Sequence, residues 1–270
     1  MTAALRYEWM RIRTIRSTWW LTSLAVLMGT SMAFLMGWGF SQALATQEPM
    51  SPEDRAVLAP AIVGNFSGEG APFFICYLLA MIGVFAWGHE YRHGMIRATL
   101  TALPSRTNAW IGKFLVVGAW VVAMTALTLL LSAIMGWLWL HDDGVSFATA
   151  DVARTIAKAC AYSLLFTWVA AAFTGLVRQQ AAALVLMFLW PLAIENVITA
   201  IAHAVPGLED IAPLTRFLPF NAAGRILNVR DVTGSVFGDP LSPWGGFVIF
   251  AAVTAAVMAF SLVLFRSRDA

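Results

Sequence analysis

The sequence predicts an all-α integral membrane protein with six transmembrane helices, and three observations carry that prediction. The 270 residues are 60% hydrophobic and only 12% charged, with a mean hydropathy of +0.74, which is typical of a polytopic membrane protein. The apolar residues form continuous runs of about 20, as membrane-spanning helices need, and not the alternating segments of about 10 that form barrels. The basic residues are concentrated on one predicted side of these runs.

Three of the six predicted spans have features that set them apart from an ordinary transmembrane helix. The third is longer than a bilayer needs, so it should tilt or project. Pro191 should kink the fifth, because proline removes a backbone donor. The first run could instead be a signal peptide cleaved after Ala43-Leu44-Ala45, but its apolar part is too long for one. The six spans are predicted at 19–40, 71–88, 110–140, 156–177, 181–203 and 244–265.

Four small residues recur at intervals of four along the first span. Small side chains at this spacing let two helices approach closely. The pattern predicts either a seam within this chain or a contact with a second copy, and the sequence leaves both open. The four residues are Ala25, Gly29, Ala33 and Gly37.

The charge distribution predicts that both termini face the cytoplasm. With the N-terminus inside, eleven of the 17 Lys and Arg residues fall on the inner side, together with only three of the 15 Asp and Glu residues. Loops rich in Lys and Arg stay in the cytoplasm.

Residues 1–18 are predicted to form an amphipathic helix on the cytoplasmic membrane surface. Leu5, Trp9 and Ile12 share one helical face, and Arg6 and Arg13 lie on another. Basic amphipathic helices lie in the membrane interface. An ordinary basic flank to the first span is the alternative interpretation.

An outer segment, 204–243, is apolar but interrupted by Pro213, Pro219 and Gly224. It is too broken for a span, so we predict short helices that re-enter the outer leaflet or cap the spans. Such backbone is tolerated at membrane depth only where protein or water covers it.

A zinc-protease motif, H-E-x-x-H, is spelled by His89, Glu90 and His93. A catalytic zinc needs a third protein ligand. The remaining histidines, His141 and His203, lie at the opposite ends of spans, roughly 30 Å of hydrocarbon away. An intramembrane zinc metalloprotease is therefore kept only as the alternative function, and no metal ligand or catalytic residue is predicted. The sequence also has no glycine-rich nucleotide-binding fingerprint.

The same stretch, "EYRHGMIRATLTALPSRTNAWIGK", closely resembles the first cytoplasmic loop of permeases of the type-2 ABC export family. The opening "RYEWMRIRTIRSTWW" resembles the basic, Trp-rich start that is common in actinobacterial members. The resemblance rests on an acidic residue at the end of the second span, an arginine and a glycine, a threonine-leucine pair, a Pro-x-Arg and a lysine. In this chain these are Glu90, Arg92, Gly94, Thr99, Leu100, Pro104, Arg106 and Lys113.

The resemblance implies a permease subunit, not an enzyme, in a bacterial inner membrane. It implies two six-helix subunits, a copy or a related permease, each docking an ABC-type ATPase. ATP and Mg would be bound by that partner, so this chain is expected to have no cofactor, and its contacts would be with protein and membrane lipid, not nucleic acid. Residues 89–109 would form the coupling loop. Its candidate residues are Glu90, Tyr91, Arg92, Gly94, Arg97, Thr99, Leu100, Pro104 and Arg106. We expect an arginine of the N-terminal segment to pair with Glu90.

A substrate pathway is predicted around the one acidic residue inside a span, Glu195. An ionised group at that depth is costly unless it is paired or hydrated. Asn196, Trp190 and Phe34 complete the candidate residues, and the aromatic spans suit an amphipathic drug-like or lipid-like substrate. A structural position for Glu195 at the outer end of the fifth span is an equal alternative.

Overall fold

The structure is a computed structural model that describes residues 1–46, 50–65, 74–102, 105–208, 210–227 and 241–267. Within these ranges six helices are long and apolar enough to cross a membrane, which confirms the predicted fold class. The helices are α1 Thr2–Thr14, α2 Arg16–Thr46, α3 Pro52–Val63, α4 Phe74–Arg92, α5 Ile96–Ala102, α6 Arg106–Leu140, α7 Ala150–Val177, α8 Gln180–Leu189, α9 Glu195–Ala204, α10 Pro219–Gly224 and α11 Pro243–Ser267.

The fifth span consists of α8 and α9, which are joined by a π-helical turn, Trp190–Ile194. Pro191 lies in this turn, so the predicted interruption occurs at the predicted residue. A proline cannot donate the backbone hydrogen bond of a regular α-helix, and π turns absorb such a defect within one turn.

The second span is longer on its basic side than the sequence predicted. α4 continues to Arg92, four residues beyond the predicted end, so His89 and Glu90 are helical and not in a loop. Residues 71–73, the predicted start of this span, lie outside the described residues.

The series of small residues on α2 is a seam within the chain. Ala25, Gly29, Ala33 and Gly37 are all buried, and α2 packs mainly on α6. A side chain at Gly29 would overlap Thr128 of α6 and Ile75 of α4. Because α6 and α4 occupy this face, the alternative of a contact between two copies does not apply to it.

An aromatic chain connects α4, α7, α10 and α11. Tyr77 lies 4.8 Å from Phe166, which lies 5.6 Å from Phe220, and Phe220 lies 5.6 Å from Phe250. These ring centroid distances are within the range of favourable aromatic pairs. The short helix α10 is therefore packed on the bundle core.

The N-terminal helix α1 ends at Thr14, and the extended residue Ile15 turns the chain into α2. The prediction extended this helix to residue 18. The buried face also differs: it is formed by Ala4, Glu8 and Ile12, whereas Trp9 is 43% exposed. The apolar series Leu5, Trp9 and Ile12 did not reveal this, because Glu8 enters the bundle as half of an ion pair.

The outer segment after the fifth span contains short, broken helices as predicted. A 3₁₀ helix, Ala212–Phe217, precedes α10, and a second one, Arg225–Leu227, follows it. Residues 209 and 228–240 of the predicted 204–243 capping segment lie outside the described residues.

Candidate functional site

The connection between the second and third long helices starts with a glycine turn. Gly94 has a φ of +63°, and its amide donates to the carbonyl of Tyr91 while the amide of Met95 donates to that of Glu90. These two bonds form a Schellman motif, which ends an α-helix with a left-handed residue. Only glycine adopts this conformation without a steric cost. Gly94 therefore sets the direction in which α5 leaves α4.

The short helix α5 is held against the bundle by two of its side chains. Ile96 is buried in an apolar cluster with Trp87, Trp110 and Phe265. The hydroxyl of Thr99, also buried, lies 3.2 Å from the phenol oxygen of Tyr7 on α1, within hydrogen-bonding distance. α5 thus contacts the bundle through Ile96 and Thr99.

The other face of this connection is exposed and basic. Arg92 and Arg97 are exposed, as are Gly94 and Met95. The side chains that point away from the bundle therefore present two guanidinium groups around a projecting turn. Such a surface suits a partner whose facing groove is acidic or polar.

Glu90 forms the centre of a buried group of four charges, here called the charge cluster and made of Glu8, Arg11, Glu90 and Lys113. The Lys113 ammonium donates to Glu90 Oε1 at 2.7 Å and to Glu8 Oε1 at 2.8 Å. Arg11 donates to Glu90 Oε1 at 2.9 Å, and its Nη2 lies 2.7 Å from Glu8 Oε2. Two carboxylates and two cations balance one another.

The charge cluster lies away from solvent and binds three elements together. Glu8, Glu90 and Lys113 are at most 2% exposed. Arg11 and Lys113 also donate to the carbonyl of Ala86, one turn before Glu90. Removing one partner of a buried ion pair leaves an unpaired charge and costs about 3–5 kcal/mol. Glu90 of α4 is thereby bonded to both α1 and α6.

Aromatic rings cover the charge cluster and extend it to α7. The Lys113 ammonium lies 4.9 Å from the ring centroid of Trp87, a cation–π distance. Tyr91 stacks on Trp87 at 6.1 Å, and the guanidinium of Arg178, the left-handed residue that ends α7, lies 5.6 Å from the Tyr91 ring. Tyr91 thus connects the end of the second span to the turn between the fourth and fifth.

The third long helix begins at a capped terminus beside the C-terminal helix. The Ser105 hydroxyl accepts the amide of Asn108, which caps α6. Arg106 donates to the Arg266 carbonyl at 3.4 Å, and Arg266 Nε donates to the hydroxyl of Thr107 at 3.0 Å. α11 is therefore tied to this connection.

The structure gathers most of the predicted coupling residues around α5. Glu90, Tyr91 and Thr99 are on the bundle side, and Arg92, Gly94 and Arg97 are on the exposed side. The expectation that an N-terminal arginine pairs with Glu90 is confirmed by Arg11. Pro104 and the side chain of Leu100 lie outside the described residues.

Sequence reasoning missed Glu8 as part of this site and noted Lys113 only as part of the resemblance. One signal was available in the sequence. Glu8 is the one acidic residue among the first 46, in a segment with four arginines. An acid in an otherwise basic membrane-surface helix indicates a specific partner inside the protein.

The zinc-motif residues have other contacts in the described structure. Glu90 is bound by Arg11 and Lys113, so it is not free to activate water. The His89 ring stacks on Phe85 at 5.0 Å, and His93 follows the end of α4 in the glycine turn. Within the described ranges, no group of three or more His, Cys, Asp or Glu side chains is placed to hold a metal ion.

At the other end of the bundle, Glu195 holds α10 in place. This carboxylate is fully buried and accepts the backbone amides of Phe220 at 3.0 Å and Asn221 at 2.8 Å, together with Trp190 Nε1 at 3.1 Å. A carboxylate at a helix N-terminus satisfies amides that have no partner within the helix and is favoured by the helix dipole. Glu195 therefore joins the fifth span to the outer segment.

The remaining pathway candidates do not converge on Glu195. The exposed Asn196 donates to the carbonyls of Pro191 and Leu192 in its own span. Phe34 of α2 packs 5.4 Å from Trp139 of α6. Of the four predicted pathway residues, the structure brings together Glu195 and Trp190.

Within the part of the chain that the structure describes, six long apolar helices, with a short helix between the second and third and broken helices after the fifth, define a polytopic helical membrane protein. The family model of the ABC-2 family transporter proteins matches residues 3–270 of this chain, so the chain belongs to this family. It is the membrane permease of an ABC transporter and not an enzyme, which confirms the resemblance seen in the sequence. A comparison with curated proteins gives no match.

Proposed function

We propose that this permease drives export of an amphipathic, drug-like or lipid-like substrate, powered by a separate ABC-type ATPase that docks on α5. One observation carries the docking proposal: the turn and helix after the second span have a buried side, fixed by Ile96 and Thr99 of α5, and an exposed side with Arg92, the last residue of α4, and Arg97 of α5. A short rigid helix with a basic outer face is suited to a groove on a partner. ATP and Mg would be held by that partner.

The charge cluster supports a route for the conformational signal. An ATPase that moves α5 pulls on the Glu90 end of α4 through the tight turn at Gly94. Glu90 is joined to Lys113 on α6 and to Arg11 on α1, so three elements move as one body. Packed interfaces with two arrangements convert small displacements into discrete changes. Alternating access of the spans would follow from this movement.

The substrate and pairing proposals rest on the exposed apolar surfaces of the spans. Trp190 and Leu192 of the fifth span are about 40% exposed, and Val197 and Ile201 are at least half exposed. Such surfaces suit an amphipathic substrate, a second permease subunit and lipid. We propose a pair of permeases, the same or related, in a bacterial inner membrane with both termini in the cytoplasm, as the basic inner loops indicate.

Cysteine crosslinking tests the docking proposal. Arg97→Cys places a thiol on the exposed face of α5, and a matched Arg154→Cys places one on α7, where Arg154 is 71% exposed. Of the native cysteines, Cys76 is buried and Cys160 is partly exposed, so both variants carry Cys160→Ala to limit background reaction. We expect a reagent that links a thiol to a lysine amine to join Arg97→Cys, but not Arg154→Cys, to the ATPase. Equal joining of both variants, or of neither, would contradict docking on α5.

A further inference from the structure

The exposed surface of α1 and of the first residues of α2 carries positive charge only. Residues 1–20 contain Arg6, Glu8, Arg11, Arg13 and Arg16 as their charged side chains. Glu8 is 1% exposed and Arg11 is largely buried, and both are used in the charge cluster. The three remaining arginines are exposed. Because Glu8, the single acid of this segment, is buried in the folded protein, the exposed surface carries three guanidinium groups and no carboxylate.

Helical geometry places two of these arginines on the face opposite the bundle. Arg6 and Arg13 are seven residues apart, which is two helical turns, and Met10 lies between them at 60% exposure. The docked face contains Ala4, Glu8 and Ile12. Rotation of α1 would withdraw Glu8 from Lys113, so the cationic face is held in a fixed direction.

Exposed indole rings surround this cationic face. Trp9 lies 5.9 Å and Trp19 lies 5.3 Å from Trp120 of α6, and Trp20 is 76% exposed. Trp19 Nε1 donates to the carbonyl of Arg13 at 2.9 Å, and the guanidinium of Arg13 lies 5.9 Å from the Trp9 ring. Tryptophan rings concentrate at the headgroup level of membranes. The arginines are therefore held at that same level.

We propose that this face, formed by Arg6, Met10, Arg13, Arg16 and Trp20, is a binding surface for the headgroups of anionic phospholipids. A guanidinium pairs with a phosphate through two parallel hydrogen bonds, and clusters of basic side chains beside a span attract anionic lipid. The exposed Met10 and Trp20 favour a lipid over an acidic protein, since they would enter the acyl region beside the headgroups. This lipid-binding proposal is independent of the proposal that an ATPase docks on α5.

Native mass spectrometry of the full chain, purified in mixed micelles with equal phosphatidylglycerol and phosphatidylcholine, tests this surface. The wild-type chain should retain phosphatidylglycerol preferentially. Arg6→Gln/Arg13→Gln should lower that retention by about fivefold for each arginine removed, with little change for phosphatidylcholine. Arg6→Lys/Arg13→Lys should keep most of it. The matched control is Arg154→Gln/Arg216→Gln, two exposed arginines of the predicted outer side, which should leave retention unchanged.

Three results would overturn the proposal. The first is equal phosphatidylglycerol retention by the wild type and the glutamine variant. The second is a loss of the same size in the outer-side control, which would indicate a response to net charge alone. The third is unchanged lipid retention together with weaker capture of the ATPase by Arg6→Gln/Arg13→Gln, which would make this face a protein-docking surface.

Discussion

The ammonium group of Lys113 at the start of the third span lies 2.7 Å from the carboxylate of Glu90 at the end of the second. Neither residue is more than 2% exposed. Both also contact α1, Lys113 through Glu8 and Glu90 through Arg11. This pair is therefore the point where the connection that carries α5 is bonded to the rest of the bundle.

Breaking this pair from one side should destabilise the protein strongly. Lys113→Met leaves two buried carboxylates with only Arg11 and should cost about 3–5 kcal/mol. Lys113→Met/Glu90→Gln retains Glu8 and Arg11 as a balanced pair and should recover part of that loss. Thermal unfolding of the purified variants checks this. A double variant no more stable than Lys113→Met would contradict the proposed charge balance.

Substituting Gly94 should loosen the turn into α5. Gly94→Ala places a Cβ on a left-handed residue, which costs about 1–2 kcal/mol. Gly39 of α2 is a matched control, because a Cβ there would meet no atom within 4 Å. Gly39→Ala should be neutral or slightly stabilising, as alanine is favoured within helices. The thermal unfolding midpoints of Gly94→Ala and Gly39→Ala are compared. Equal midpoints would show that the left-handed conformation at residue 94 has no cost for alanine.

A larger residue at Gly112 should displace α1 from α6. A Cβ at Gly112 would lie 3.1 Å from the Cβ of Ala4, so the longer side chain of Gly112→Leu cannot fit beside the docked helix. We expect faster proteolysis within residues 1–15. Ala119→Leu, at an exposed position on α6, serves as the control and should leave the rate unchanged. Protection of α1 in the Gly112→Leu variant would contradict the close packing.

Removing the carboxylate at Glu195 should release the first turn of α10. In Glu195→Ala the amides of Phe220 and Asn221 lose their acceptor. Hydrogen–deuterium exchange at these two amides should become at least tenfold faster. Asn196→Ala removes a neighbouring polar side chain that bonds only within its own span and should not change exchange at these positions. Unaltered exchange in Glu195→Ala would show that α10 is held by its aromatic contacts alone.

Much of the fold could be predicted from the sequence, because long apolar runs and loop charges have direct physical meaning. The six spans and the interruption at Pro191 are examples. The buried face of α1 could not be read, since an apolar series gives no sign that Glu8 would be buried as an ion pair. Whether the Ala25 to Gly37 series met another helix of the chain or a second copy also depended on the packing.

The candidate site was predictable where a motif marked it and not where packing created it. Glu90 and Gly94 stood out in the resemblance, and an arginine partner for Glu90 was expected. Periodicity gave no indication that Glu8 and Lys113 would meet, because they are 105 residues apart. The role of Glu195 was equally hidden, as it depends on where the first turn of α10 packs.

Tagged purification from gently solubilised native membranes, with bound proteins identified and counted, tests the docking of an ATPase most directly. The wild-type chain should retain an ABC-type ATPase at about one copy per permease. Arg92→Glu/Arg97→Glu should lose it, whereas Asp151→Arg, at an exposed position on α7, should not. Full retention by the double arginine variant, or no ATPase with wild type while a control transporter keeps its own, would contradict docking at α5 and the turn before it.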